Sequence, residues 1–166
     1  MRNPILLAVA AALLVLPLAA AGQANDVVNV TASVLQPLTV DGAQDLRFGS
    51  VIPGVGRTVP PSDGVNAGRF DITGEGALEV SLTFDLPTEL STGSDAMPIT
   101  FDGNSAAYMN GSLATPLDFD PAVGTNAKLD AGAMSVFIGG TVNPAFDQPA
   151  GDYNGTVTLT VAYTGS

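Results

Sequence analysis

The residues best able to do chemistry in this sequence are its carboxylates. Glu75 and Glu79 stand four apart, Asp118 and Asp120 bracket Phe119, and Asp130 follows in the same acidic stretch. Paired carboxylates in a cleft perform general acid and base work, as in glycoside hydrolysis. Here Glu79 falls on the polar face of an alternating strand and Glu75 in a turn, so neither pair is set in a cleft by its own element. The chain has no histidine and no cysteine. Triads and zinc centres built on either are thereby excluded, and the expectation is a protein that is not an enzyme.

Metal binding gets a similar answer. The run DFDPAVGTNAKLD, residues 118–130, offers oxygen at its first, third and ninth positions, but Ala122 takes the fifth and the sixth is not glycine. The EF-hand loop needs both, so that template fails; the acidic loop reads as hydrated surface, and the residue pattern leaves open a looser calcium site there. No cofactor and no metal is expected. Asn29, Asn110 and Asn154 lie in glycosylation sequons, matches too short to carry a role.

The elements around these residues are strands. Val157, Leu159, Val161 and Tyr163 alternate with Thr158, Thr160 and Ala162 at the C-terminal end, the period-two pattern of a strand with one apolar face and one wet face. Only Thr164, Gly165 and Ser166 follow, so the far edge of that strand needs a partner from earlier in the chain or from another molecule. Val28, Val30, Ala32 and Val34 alternate in the same way and predict a first strand ending at Gln36 and Pro37. Further strands are expected at Leu38–Val40, Leu46–Ile52, Phe70–Ile72, Leu78–Leu86, Pro98–Asp102 and Met134–Val142. The stretches Val55–Gly68 and Thr88–Ala96 read as loop, the former with an edge strand, and Gly103–Ala133 as a long loop holding one or two short strands. At Asn154-Gly155 a bulge is preferred to a hairpin turn, which starts the last strand at Thr156. Many short strands with turn signals between them and no helical periodicity predict an all-β, immunoglobulin-like sandwich of antiparallel strands, completed or not by the N-terminal strand.

Arg2, the apolar run Ile5–Ala21, Pro17 and the small residues Gly22 and Ala24 predict a secretory signal peptide over residues 1–24. Residues 25–166 then form a single domain, exported to the periplasm or cell surface and long enough to bury about two-thirds of its unfolded surface. Export permits disulfides, yet without cysteine the fold must rest on packing and sheet hydrogen bonds. Five basic residues against sixteen acidic ones give a net charge of −11. Neither nucleic acid nor an anionic membrane is an expected partner, and no membrane insertion is expected of the mature chain.

The segment GDYNGTVTLTVAY, residues 151–163, resembles the final strand of archaic chaperone-usher pilins and of the related spore coat protein U domain. VNVTASVLQPLTV, residues 28–40, and LRFGSVIPG, residues 46–54, resemble the first strands of that group. Together with VFIGGTVNP, residues 136–144, they are similar to a cysteine-free family of exported bacterial domains of unknown function. The resemblance implies a sandwich lacking its last strand, whose groove a periplasmic chaperone fills until the N-terminal segment of the next subunit replaces it at the usher. Asn25–Val34 would be the donor, through Val28, Val30, Ala32 and Val34, and Val157, Leu159, Val161 and Tyr163 would line the acceptor. Such exchange does not close and yields a fimbrial filament. The group commonly carries a disulfide whose cysteine would fall near Leu38, and this sequence has none. The residue pattern alone leaves open that Val28–Val34 completes its own sandwich. It also leaves open a different function, a self-contained exported sandwich that binds a glycan or an envelope protein through its long loops.

Overall fold

The computed structural model describes residues 24–165, and the signal peptide expected over residues 1–24 lies outside them except for Ala24. The chain divides at Ser33 into a unit of residues 1–33 and a unit of residues 34–166. In the first, residues 24–33 carry no strand, and the Val27 N–H donates to Asp26 Oδ1 at 2.8 Å. The strand expected at Val28–Val34 is therefore absent as an element. Alternation marks a segment able to pair, while a strand exists only once a ladder partner is supplied.

The second unit is an all-β sandwich of antiparallel strands. Its twelve strands are β1 Thr39–Gln44, β2 Arg57–Val59, β3 Gly68–Thr73, β4 Glu79–Asp85, β5 Glu89–Thr92, β6 Asp95–Thr100, β7 Ala106–Asn110, β8 Leu117–Phe119, β9 Thr125–Lys128, β10 Ala133–Ile138, β11 Gly140–Val142 and β12 Thr158–Tyr163. They form three sheets, ordered β1-β3-β10-β7-β8, β2-β11-β6-β5 and β12-β4-β9. Among the described residues the one helical turn is a 3-10 turn at Asp130–Gly132, and no helix is long and apolar enough to cross a membrane.

Alternation builds the core. Val80, Leu82 and Phe84 of β4 point inward against Ile72 of β3 and Met134, Val136 and Ile138 of β10, all buried. Phe70, Phe84, Phe119 and Tyr108 form a row of ring contacts at centroid distances of 6.1, 6.2 and 6.1 Å, which ties the β12-β4-β9 sheet to the five-stranded one. A smaller cluster, Met97, Ile99 and Val142, sits on the four-stranded sheet, and Phe101 touches both clusters.

The strand expected across Met134–Val142 is in fact two. Chain passing Gly139 leaves the five-stranded sheet as β10 and joins the four-stranded one as β11. A side chain on Gly139 would lie 2.2 Å from the Val59 carbonyl oxygen, so this crossing requires glycine. Three other expectations are corrected. Leu46–Ile52 is irregular, because its half-buried Leu46 and Phe48 pack without a ladder. The hairpin β5–β6 replaces the loop expected over Thr88–Ala96, its polar alternation hiding Leu90 and Met97. Residues 103–133 hold three short strands rather than one or two.

Candidate functional site

The strand β12 is an edge. It pairs with β4 in register from Thr158 opposite Asp85 to Tyr163 opposite Val80, and among the described residues no strand pairs along its other side. Its inward face carries Leu159, which is buried, and Val161 and Tyr163, which stay half-exposed; Val157, just before it, is half-exposed too. Thr158 and Thr160 face solvent. The four acceptor residues expected from the sequence thus share one face, which packs on the main core.

Beside the start of β12 runs a cavity of about 1370 Å³. One wall is the chain from Gly42 of β1 to Val51, and the other is the chain from Gln148 to Val157. Phe70, Leu90, Met97, Ile99, Ile138 and Val142 supply apolar floor. The second wall is held by an isolated bridge in which Ser91 and Asn154 exchange both backbone hydrogen bonds at 2.9 Å. That bridge, rather than a hairpin turn, is what Asn154-Gly155 makes, and the regular strand starts at Thr158. The first wall hangs from the loop before β3. Arg47 N–H donates to the Asn66 carbonyl at 2.8 Å and Gln44 Nε2 to the Ala67 carbonyl at 2.6 Å. Asp63 folds that loop. Its Oδ1 accepts from the Val65 and Asn66 N–H groups and its Oδ2 from the Asn66 amide, which, led by that side-chain bond, hold its pKa below the usual carboxylate range.

At the other end of β12 the Tyr163 hydroxyl donates to the Gln36 carbonyl at 2.8 Å and accepts from the Glu75 N–H at 2.6 Å. The Gln36 N–H donates to Glu75 Oε2 at 3.1 Å. The segment entering β1 is thereby fixed to the end of β12 and to the turn between β3 and β4. Gly74 makes room for this, since a side chain there would lie 2.6 Å from the Tyr163 oxygen.

A model of the domain of unknown function DUF4402 matches residues 56–163. The chain belongs to this family. The match takes in β2 through β12, and with them the edge strand and the Gln148–Val157 wall. A comparison with curated proteins finds no match.

The donor residues of this DUF4402 chain are placed plainly. Val28, Val30 and Val34 are 84%, 92% and 97% exposed, and Ala32 is exposed as well. The carboxylates bind neighbouring polar groups of the sandwich rather than one another. Glu79 accepts from Asn126 and Thr164, Asp120 from the Ala122 N–H at 2.9 Å, and Asp130 from the Ser112 hydroxyl. Among the described residues no three acidic side chains gather as a metal would require. Sequence reasoning missed the floor of the groove. Ile99 falls within the strand expected at Pro98–Asp102 and Phe48 within the one expected at Leu46–Ile52, whereas Leu90, Met97 and Tyr153 lie in no expected strand.

Proposed function

We propose that this DUF4402 protein is an exported structural subunit of a bacterial surface fibre, assembled by strand exchange. The N-terminal segment of one copy, Asn25–Val34, adds as a strand to the bare side of β12 in the next. The observation that carries this reading is the unpaired edge of β12, which continues the Gln148–Val157 wall of an open, apolar-floored groove. Such an edge offers a row of backbone donors and acceptors, and an incoming strand is held by them while alternate side chains set its register.

The donor suits the groove in pattern and length. Its valines recur at every second residue and stand in water. Extended at about 3.3 Å per residue, residues 25–34 reach about 33 Å, enough to cover the six residues of β12 and several before it. Export with removal of residues 1–24, and a periplasmic chaperone and an usher as partners, complete the proposal by resemblance to the archaic pilins.

Size-exclusion chromatography of the protein secreted from a bacterial host tests it. Oligomer ladders that persist in mild denaturant are expected, and deletion of residues 25–34 should abolish them while leaving a cooperative thermal unfolding transition. A clean monomer that is stable on dilution would rule the reading out.

A further inference from the structure

Three bulky apolar side chains stand in water at the end of the groove remote from Tyr163. Phe146 is 92% exposed, and Ile52 and Val55 are exposed beside it. They are held rather than loose. The Gly54 N–H donates to the Pro144 and Ala145 carbonyls at 3.1 and 3.0 Å, and the Phe146 ring lies so close over Gly54 that a Cβ there would sit 2.5 Å from it. Val51, Pro53 and Pro144, their neighbours in sequence, line the groove itself. The tip is therefore a continuation of the groove surface.

Its position follows from the strand path. Ala133 of β10 opposes Thr73, next to the Gly74–Glu75 turn that meets Tyr163, and Ile138 opposes Gly68 at the other end of β3. The chain continues in that direction through β11 to Phe146. The tip and Tyr163 thus mark opposite poles.

We propose that the tip formed by Ile52, Val55 and Phe146 is a second contact surface for the neighbouring copy of this chain, and that it fixes the direction in which the donor enters. The proposal rests on the strand-exchange reading above. Donor residues Val34 and Leu35 run straight into Gln36, which Tyr163 and Glu75 pin to the donor's own body. No slack separates strand from body, so whichever end of the groove receives Leu35 also receives the donor's Tyr163 pole. If that were the acceptor's Tyr163 end, two like poles would meet, each bearing Glu75, Glu79 and Asp130 against the single Lys128 opposite Glu79, and like net charges brought together oppose association. The apolar tip would stay in water. Entry at the opposite end sets the donor's pole, with Leu35, against Ile52, Val55 and Phe146. Arg57 lies opposite Val142 at that end, but Arg47 on the groove wall is already paired with Asp45 at 3.1 Å and Asp152 lines the same groove, so burial of the apolar tip rather than charge favours this entry. The donor then runs antiparallel to β12, and the contact is heterologous and repeats without closing.

The absence of cysteine makes the test clean, because any disulfide between copies must come from introduced residues. The secreted chain carrying Leu35→Cys with Phe146→Cys should form covalent ladders on oxidation, whereas Leu35→Cys with Ala77→Cys, at the acidic pole, should not. Preferential linking of the second pair, or oligomers in which neither pair links, would overturn the proposal. Ile52→Ser with Phe146→Ser should weaken association between copies at least tenfold while leaving unchanged the binding of a synthetic peptide spanning residues 25–35. Unchanged association would again overturn it. Failure of the peptide to bind the unaltered chain would instead bring down strand exchange itself, and the proposal with it.

Discussion

The hydroxyl of Tyr163, the last residue of the last strand, donates to the carbonyl of Gln36, the residue that leads toward the first strand, at 2.8 Å. Two distant parts of the sequence are joined at one pole of the sandwich, and the Glu75 N–H closes the junction by donating to the same hydroxyl. The bond sits where the N-terminal segment leaves the body of the fold. It therefore sets the point from which any donated strand must start.

Tyr163→Phe keeps the ring and removes this junction. The Gln36 carbonyl and the Glu75 N–H each lose a partner, and Glu75 Oε2 alone then holds Gln36. A cost of about 1–2 kcal/mol is expected, since a net hydrogen bond contributes near 1 kcal/mol and an N–H left without a partner adds its own penalty. Denaturant unfolding should show a lower midpoint with an unchanged slope, because the surface exposed on unfolding is the same. A midpoint equal to that of the parent would mean that the junction adds nothing to stability.

Leu159→Ala should be the costly change on β12. Leu159 is buried in the main core opposite Phe84, and a leucine truncated to alanine at such a site costs about 2–5 kcal/mol through lost burial and the cavity left behind. Thr160→Ala, on the wet face of the same strand, should stay within about 0.5 kcal/mol. Thermal or urea unfolding of the two variants checks the inward and outward assignment of the strand. Comparable losses in both would contradict it.

How much could be read in advance follows from what each part of the fold depends on. The strand β12 was legible almost residue by residue, because Leu159, Val161 and Tyr163 alternate there with Thr158, Thr160 and Ala162 and the register with β4 obeys that alternation. The β3 strand and β4 were legible for the same reason. Phe48, Leu90 and Tyr153 were not legible as groove residues, since each meets the others only through the irregular segments Leu46–Val51 and Gln148–Thr156. Nor could the split between β10 and β11 be seen in VFIGGTVNP, where apolar residues continue across both glycines. It arises from how closely the Val59 carbonyl approaches Gly139, a tertiary fact. In Val28–Val34 the pattern was plain and the ladder was absent, because pairing belongs to two strands and a sequence displays one at a time.

Val30→Asp separates the donor from the body. Val30 is almost wholly exposed, so the unfolding transition of the sandwich should shift by no more than about 0.5 kcal/mol. In a donated strand the same side chain would enter an apolar groove, where an unpaired carboxylate is strongly disfavoured. Oligomer ladders should then be lost from size-exclusion profiles of the secreted protein. Ladders of undiminished strength would show that the valine stripe is not what fills the groove.

Acid should loosen the groove wall through Asp63. Three hydrogen bonds to its carboxylate depress the folded-state pKa below that of the unfolded chain, with the Asn66 side chain the leading cause and the Val65 and Asn66 N–H groups next. The stabilisation is accordingly complete above the unfolded value, near pH 4, and is lost as pH falls through the lower folded value. The loop so released holds Gln44 and Arg47 by the Ala67 and Asn66 carbonyls. The protection of the Arg47 amide, its exchange measured relative to the intrinsic rate at each pH, should therefore fall below about pH 4 in the parent chain. Asp63→Asn, which gives up the charge at every pH, should show fast exchange at neutral pH already and respond less to acid. If Arg47 exchange were equally slow in both proteins at neutral pH, the wall would not depend on Asp63.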